Sequence, residues 1–319
     1  MTMSVTTDET YMRRCFQLAA NGLGRVRPNP LVGCVVVSGG RVVSEGYHRV
    51  YGGFHAERNA LLEAPREALA GATLYVNLEP CSHHGLTPPC ADLIAECGIG
   101  RVVCCNDDPN PLVSGRGFER LRAAGVEVVR HVLEAEGRWL NRRFFTFMEK
   151  QRPYVILKWA ESADGYMSPA SGQPPTGADG RRYWISDDCQ TQICHKWRTE
   201  EAAILVGSQT FIDDRPRLNA RLWSGSDPQP VVLDRRGRLA DVPPHWLHLH
   251  CETLREVMQT LFDRKIQSLI VEGGRQILDA FLAEGLYDEV RVFRNPSTRY
   301  GGGLKAPEAP MNEKPVFYV

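Results

Sequence analysis

One histidine, one glutamate and two cysteines stand at spacings that suit metal-assisted hydrolysis. His55 and Glu57 are two positions apart in His55-Ala56-Glu57, Cys81 closes Leu78-Glu79-Pro80-Cys81, and Cys90 follows after eight intervening residues. An imidazole and two thiolates are ligands that suit Zn2+, and three of them leave one tetrahedral position open. Structural zinc sites close that position, whereas catalytic sites keep it for water. A water on zinc loses its proton near neutral pH and becomes a nucleophile. Glu57 can then shuttle protons without being a ligand. Each residue alone has a plainer explanation, since His-Ala-Glu is a common helix start and a single cysteine is often a small buried apolar residue. The combination is what points to a metal.

The local pattern supplies elements to hold these groups. His55 follows Gly52-Gly53 and opens an apolar-periodic run at Ala56, Ala60, Leu61 and Ala64, which predicts a helix N-terminus. Residues 72–78 alternate as a strand, with Cys81 just past its end. Pro88-Pro89-Cys90 starts the next helix, with proline near its first turn. Both helix starts would offer free N–H groups that favour anionic thiolates. His-x-Glu followed by Pro-Cys and a second cysteine marks zinc enzymes that deaminate nucleobases, although their cysteines are usually separated by two residues.

The rest of the chain sets the frame. Its 319 residues are enough for two domains, and 43% hydrophobic with 24% charged residues is ordinary for a globular protein. A formal net charge of +0 gives no basic surplus for a nucleic-acid backbone. No apolar run approaches a membrane span, and Met1 to Glu9 is polar without a signal-peptide core. Ten scattered cysteines beside a thiolate-zinc pattern fit a reducing cytoplasm better than a disulfide scaffold. Cys104 and Cys105 read as packing residues. Cys189, Cys194 and His195, and likewise His245, His248, His250 and Cys251, lack acidic or thiolate partners at ligand spacing, so neither group is expected to bind metal.

Helix and strand patterns alternate through the first half. Helices are expected at 11–20, from His55, from Pro88, at 118–124 and at 134–150; strands at 31–37, 41–46, 72–78, 101–105 and 126–129. Such alternation predicts a largely parallel α/β sheet covered on both faces. Arg152-Pro153 breaks the last helix, which places a domain boundary near 148–152 and gives domains 1–150 and 151–319. The second half alternates again, with strands at 154–160, 202–207, 230–233, 268–272 and 289–293 and helices at 187–198, 254–262 and 276–283. Residues 165–183 read as a long functional loop. No Gly-x-Gly-x-x-Gly is present. Glu272-Gly273-Gly274 between a strand and a helix is a tight turn whose N–H groups can also take a phosphate.

The chain resembles the bifunctional deaminase/reductase family of riboflavin biosynthesis. In the first half the resemblance lies in Pro28-Asn29-Pro30-Leu31-Val32-Gly33, Gly46-Tyr47-His48, His55-Ala56-Glu57, the stretch Leu78 to Cys90 with its long insert, and Asp108-Pro109-Asn110-Pro111. In the second half it lies in Lys158-Trp159-Ala160-Glu161-Ser162-Ala163-Asp164-Gly165, Trp184-Ile185-Ser186, Arg198, Ala203 to Gly207, Thr210, Asp213-Asp214 and Val271-Glu272-Gly273-Gly274. The resemblance implies a cytidine-deaminase-like three-layer domain followed by a dihydrofolate-reductase-like α/β domain. It implies zinc on His55, Cys81 and Cys90 with Glu57 catalytic. It further implies NADPH approached by Ala160, Trp184, Thr210, Asp214 and Gly273-Gly274. A pyrimidine ribosyl-phosphate would be approached by Asn29, His48 and His83 in the first domain and by Arg198, Leu218, Arg221 and Glu272 in the second. Arginines suit a phosphate because guanidinium offers a bidentate fork. Homo-oligomers are expected.

This chain departs from the family at Leu86, where a cation would help hold the substrate phosphate, at Arg182 in place of a serine, and at Arg215, which displaces Pro216. The implied reaction is hydrolytic deamination of a diaminopyrimidinone ribosyl-phosphate, then NADPH reduction of its ribosyl to a ribityl chain. Rival readings are a deaminase with an inactive or diverted second domain, and a non-enzymatic zinc-stabilised RNA-binding scaffold. Glu57 separates these, because a purely structural site has no need of that carboxylate.

Overall fold

The structure is a computed structural model and describes residues 6–82, 89–110, 114–170, 185–309 and 314–319. The chain divides into two compact units, Met1–Lys150 and Gln151–Val319. In the first, α1 (Thr7–Ala20), β1 (Gly33–Ser38), β2 (Arg41–Tyr47), α2 (Ala56–Glu63), β3 (Thr73–Leu78), α3 (Cys90–Glu96), β4 (Arg101–Asn106), α4 (Arg116–Ala123), β5 (Glu127–Val129), α5 (Glu134–Leu140) and α6 (Arg142–Lys150) follow one another. The strands lie in the order β2-β1-β3-β4-β5. Only β3, β4 and β5 run parallel; β1 is antiparallel to both β2 and β3, so this sheet is mixed rather than largely parallel. The reason is local: Gly39-Gly40, both at positive φ, close a hairpin between β1 and β2, where no crossover helix intervenes.

Alternation along the strands sends side chains to two separate cores. Cys34, Val36, Leu74, Val76, Val102 and Cys104 pack with α2, α3 and α4 through Ala56, Ala60, Ile94 and Phe118. Val35, Val37, Tyr75, Val103 and Cys105 pack with Met12, Cys15 and Leu18 of α1. The unit is therefore three-layered, with α2 and α3 on one face. Gly46 lets α2 lie close, since a Cβ there would stand 2.5 Å from both Ala56 O and Ala60 N.

The helix expected over 134–150 is two helices. Asn141 interrupts it because its amide is spent on Leu31, accepting from Leu31 N at 2.8 Å and donating to Leu31 O at 2.9 Å. Buried Asn77 does the same job from β3, accepting from Gly33 N at 2.7 Å and donating to Leu31 O at 2.9 Å. Two buried amides thus fix the segment that carries Asn29.

The second unit contains β6 (Tyr154–Ser162), β7 (Tyr166–Pro169), α7 (Asp188–Glu200), β8 (Ala203–Gly207), α8 (Ser208–Asp214), β9 (Gln229–Leu233), β10 (Leu247–Leu249), α9 (Leu254–Asp263), β11 (Ser268–Gly273), α10 (Arg275–Ala283), β12 (Glu289–Asn295), β13 (Gly303–Lys305) and β14 (Val316–Tyr318). Seven strands form one parallel sheet in the order β10-β9-β8-β11-β6-β12-β14. One face buries Leu157, Leu205, Val271 and Val292 against α9 and α10; the other buries Ile156, Ile204 and Ile270 with Phe211 and Trp246. The expected loop from 165 begins instead as β7, which pairs antiparallel with β13. Among the described residues no helix is long and apolar enough to cross a membrane.

Candidate active sites

Cysteine and histidine ligand atoms meet where two helices begin beside the end of a strand. His55 is the N-cap of α2, with extended backbone (φ −68°, ψ 162°). Cys81 follows β3, and Cys90 is the first residue of α3. His55 Nδ1 lies 3.5 Å from Cys81 Sγ and 3.4 Å from Cys90 Sγ. Bond lengths of about 2.0 Å to nitrogen and about 2.3 Å to sulfur give a tetrahedral edge of about 3.5 Å, so the donor spacing fits zinc. All three ligand atoms lie within 4.8 Å of one another. Both cysteines are free.

Electrostatics favour the anionic form the metal needs. A hydrogen bond from the Cys90 thiol, then His55 and the Cys90 amide, bring the Cys81 pKa down to about 4 against the opposing effect of burial. The Cys90 amide donates to Cys81 Sγ at 3.3 Å, as expected of a helix start. The Cys90 thiol is pushed upward, first by its hydrogen bond to Cys81 and then by burial, because two thiolates this close repel. A divalent cation would take up both charges and release the remaining proton.

Glu57 is the second residue of α2 and only 3% exposed. Burial raises its pKa, with His55 opposing. His48 completes this wall. Its ring stands edge-on to His55 at 5.6 Å, its Nδ1 lies 3.0 Å from Phe54 O, and Asn29 Nδ2 lies 3.0 Å from its Nε2. The carbonyl partner assigns Nδ1–H as donor and Nε2 as acceptor from Asn29. Burial lowers the His48 pKa, which keeps the ring neutral.

Asn59 has no role in the sequence motifs, and Glu79 and Asp108 stand in them without one; the structure makes all three positioning residues. Asn59 donates to Tyr47 O at 2.8 Å and to Phe54 O at 3.3 Å, holding the loop under His48. Glu79 accepts from the amides of Asp108, Gly115 and Gly117 at 3.3, 3.0 and 3.0 Å. Asp108, whose carboxyl burial raises to about 6, accepts in turn from Asn110 N at 2.8 Å. Asn77 is legible in the sequence only as a polar residue near the end of an apolar strand, and Glu79 only as a member of the Leu78-Glu79-Pro80-Cys81 motif. His83, His84, Leu86 and Arg182 lie outside the described residues, as do Trp184 and most of the 165–183 loop.

In the second unit the structure gathers Glu272, Arg198, Lys158 and Cys194. Arg198 Nη2 donates to Glu272 Oε2 at 2.7 Å and Nη1 to Asn219 O at 3.0 Å. Cys194 Sγ donates to Glu272 Oε1 at 3.2 Å, and Lys158 Nζ lies 4.0 Å from the same oxygen. Both amino groups of the Arg198 fork are therefore engaged within the protein, and only its buried Nε lacks a partner among the described residues. Arg221 is exposed and donates to Asn219 Oδ1 at 3.1 Å, so Arg198 and Arg221 converge on one residue rather than forming a free pair. Leu218, buried and at φ 52°, immediately precedes Asn219.

Thr210 and the Gly273-Gly274 turn also meet. A Cβ on Gly273 would stand 3.1 Å from Thr210 Cγ2, and one on Gly274 3.2 Å from Thr210 Oγ1. Gly274, at φ 72°, is the N-cap of α10 and presents backbone N–H groups, a cradle that suits a phosphate-bearing cofactor. Asp214 ends α8 four residues beyond Thr210, hence on the same helix face, while Ala160 lies on β6 opposite Phe293. Gly274→Ala combines left-handed strain with a tight contact. It is expected to cost about 1–2 kcal/mol of stability and to raise the KM for NADPH. Denaturant unfolding and nicotinamide titration check this; unchanged values in both would mean that the turn tolerates a methyl group.

Residues 5–106 match the family described as the cytidine and deoxycytidylate deaminase zinc-binding region, and residues 153–307 match the RibD C-terminal domain. Fold and site thus define a zinc-dependent deaminase unit joined to an NADPH-dependent reductase unit of dihydrofolate-reductase-like fold. Riboflavin biosynthesis protein RibD of Actinobacillus pleuropneumoniae is 38% identical over 94% of this chain and 87% of that protein. The protein of the same name from Aquifex aeolicus is 39% identical over 93% and 89%. The deaminase/reductase structure from Thermotoga maritima is 40% identical, with a TM-score of 0.83 over 94% of this chain and 89% of that one. Acinetobacter baumannii RibD, form 1, is 34% identical, with a TM-score of 0.84 over 96% and 92%. The chain belongs to the RibD family of bifunctional enzymes and serves riboflavin biosynthesis with deaminase and reductase activities.

Proposed function

We propose that His55, Cys81 and Cys90 hold one Zn2+ and that Glu57 moves the protons of deamination. The observation that carries this is three ligand atoms within 4.8 Å of one another with a buried carboxyl two residues from the histidine. When bound, zinc supplies a Lewis acid that lets water act as a nucleophile near neutral pH. Glu57 accepts a proton from that water and delivers it to the leaving nitrogen. The new C–O bond replaces the C–N bond, and ammonia departs. Neutral His48, held by Asn29 and Phe54 O, orients the pyrimidinone edge, with His83 serving the same substrate.

In the second unit Thr210, Asp214, Ala160, Trp184 and the Gly273-Gly274 turn hold NADPH. When bound, NADPH supplies the hydride that converts the ribosyl to the ribityl chain. Arg198, Leu218, Arg221 and Glu272 position the substrate; the Nε of Arg198, without a partner among the described residues, is a donor left for it. The same reading takes a pyrimidine ribosyl-phosphate as substrate, excludes nucleic acid on the balanced charge, and has the enzyme work as a homo-oligomer in the cytoplasm.

Purified protein given the diaminopyrimidinone ribosyl-phosphate should release ammonia without NADPH and consume NADPH only when both are supplied. No ammonia would sink the deaminase assignment. Ammonia without loss of nicotinamide absorbance would leave a deaminase with an inactive second unit. Separately, protein purified without added metal should hold one zinc per chain that resists dialysis, and Cys81→Ala should lose it. Elemental analysis showing the same zinc in the variant would remove Cys81 from the ligand set.

A further inference from the structure

A second cluster of metal-ligating groups lies at the edge of the seven-stranded sheet, in the reductase unit. Sequence spacing gave His248 and His250 no acidic partner, because that partner comes from another strand. Asp234 follows β9 directly, and β10 pairs with β9 so that Leu249 faces Leu233. The two histidines flank Leu249, and their ring centroids are 4.1 Å apart. One ligand atom from each of Asp234, His248 and His250 lies within 4.8 Å of the others.

Asp234 is fully buried. Its Oδ2 accepts from Leu239 N at 2.9 Å and lies 3.3 Å from His248 Nε2. Its carbonyl accepts from Gly237 N at 3.2 Å and lies 3.1 Å from His250 Nδ1. A backbone carbonyl on one ring nitrogen is the contact that commonly fixes the tautomer and direction of a metal-binding histidine. Oδ1, by contrast, is buried without a hydrogen-bond partner among the described residues. A turn that needed only a staple would be served by Oδ2 and the carbonyl. A second buried carboxylate oxygen with nothing to bind is a cost that needs another reason. Burial alone would raise this carboxyl's pKa, but the amides of Leu239 and Arg238 and the His248 ring outweigh it, so the group stays anionic.

We propose that Asp234, His248 and His250 form a second metal site that takes a divalent transition ion of the zinc and cobalt class. Two imidazoles and one carboxylate are a ligand set for such ions, and three protein ligands leave an open position. The ion would staple the end of β9 to β10, an edge strand of three residues. The turn it closes is also tied to α8, since Arg238 donates to Ser208 Oγ at 2.7 Å and to Gln209 Oε1 at 3.0 Å. Occupancy would therefore brace the helix that carries Thr210.

Full-length protein with its thiolate-held zinc in place is titrated with Co2+ and followed by visible absorption. One further equivalent should bind saturably, giving d–d bands without the thiolate charge-transfer band that exchange at Cys81 and Cys90 would produce. His248→Ala/His250→Ala should lose this binding while keeping the first zinc, and its circular dichroism should match the parent. His250→Ala alone, a change at an exposed side chain, should weaken it. No saturable Co2+ uptake by the parent, a charge-transfer band alone, or unchanged uptake in the double variant would each overturn the proposal.

Discussion

Glu57→Gln should reduce ammonia release by about a hundredfold or more while zinc stays bound. Glutamine fills the same volume and keeps an oxygen, so the α2 start and its packing are preserved. What it loses is the capacity to accept a proton from water and return it to the departing nitrogen. The three ligand atoms lie within 4.8 Å of one another without Glu57, so the metal has no call on that carboxyl. Steady-state ammonia assays paired with elemental analysis read the two quantities separately. Zinc lost along with activity would make Glu57 a structural group. Activity retained would take it out of the reaction altogether.

The metal centre was legible because its residues are rare types at short spacing. His55, Glu57, Cys81 and Cys90 announce their chemistry whatever fold surrounds them. Element positions were equally legible where periodicity was strong, as along β3, β4, β6 and α9. Polar groups working at a distance were not. Asn141 reads as one more helical residue until its amide is seen bonded to Leu31, 110 positions away. Asp234 reads as the end of an apolar strand until β10 brings two histidines beside it. Helix-strand alternation suggests a largely parallel sheet in the first unit, but the two strands that the sequence joins through Gly39-Gly40 reverse direction there, and β1 is antiparallel to β3 as well. The early start of α1 had a signal that went unused: Thr6 and Glu9 form a reciprocal capping box. Helix α8, seven residues long, was too short to show a period, although Thr210 and Asp214 both lie on it.

Glu272→Gln should destabilise the reductase unit by about 3 kcal/mol near neutral pH and abolish NADPH consumption, with ammonia release unaffected. Glu272, Arg198 and Lys158 have side chains only 10%, 12% and 13% exposed. Burial alone would raise the Glu272 pKa, but Lys158 and Arg198 outweigh it and bring it from 4.5 down to about 2. A depressed carboxyl pKa stabilises the folded state above the unfolded value and loses that contribution as pH falls toward the folded one. This depression corresponds to about 3 kcal/mol, present above pH 4.5 and lost on acidification toward about 2. Glutamine leaves two nearly buried cations facing a neutral amide, and breaking a buried pair in this way costs about 3–5 kcal/mol. Urea unfolding of parent and variant should therefore show a wide stability gap near neutrality that narrows toward pH of about 3. An equal gap at both pH values would show that shape, not charge, is what Glu272 contributes. Adding Arg198→Met to Glu272→Gln should recover part of the lost stability but none of the reduction. The buried charge conflict is relieved in the double variant, while the Arg198 Nε donor, which has no partner among the described residues, is gone.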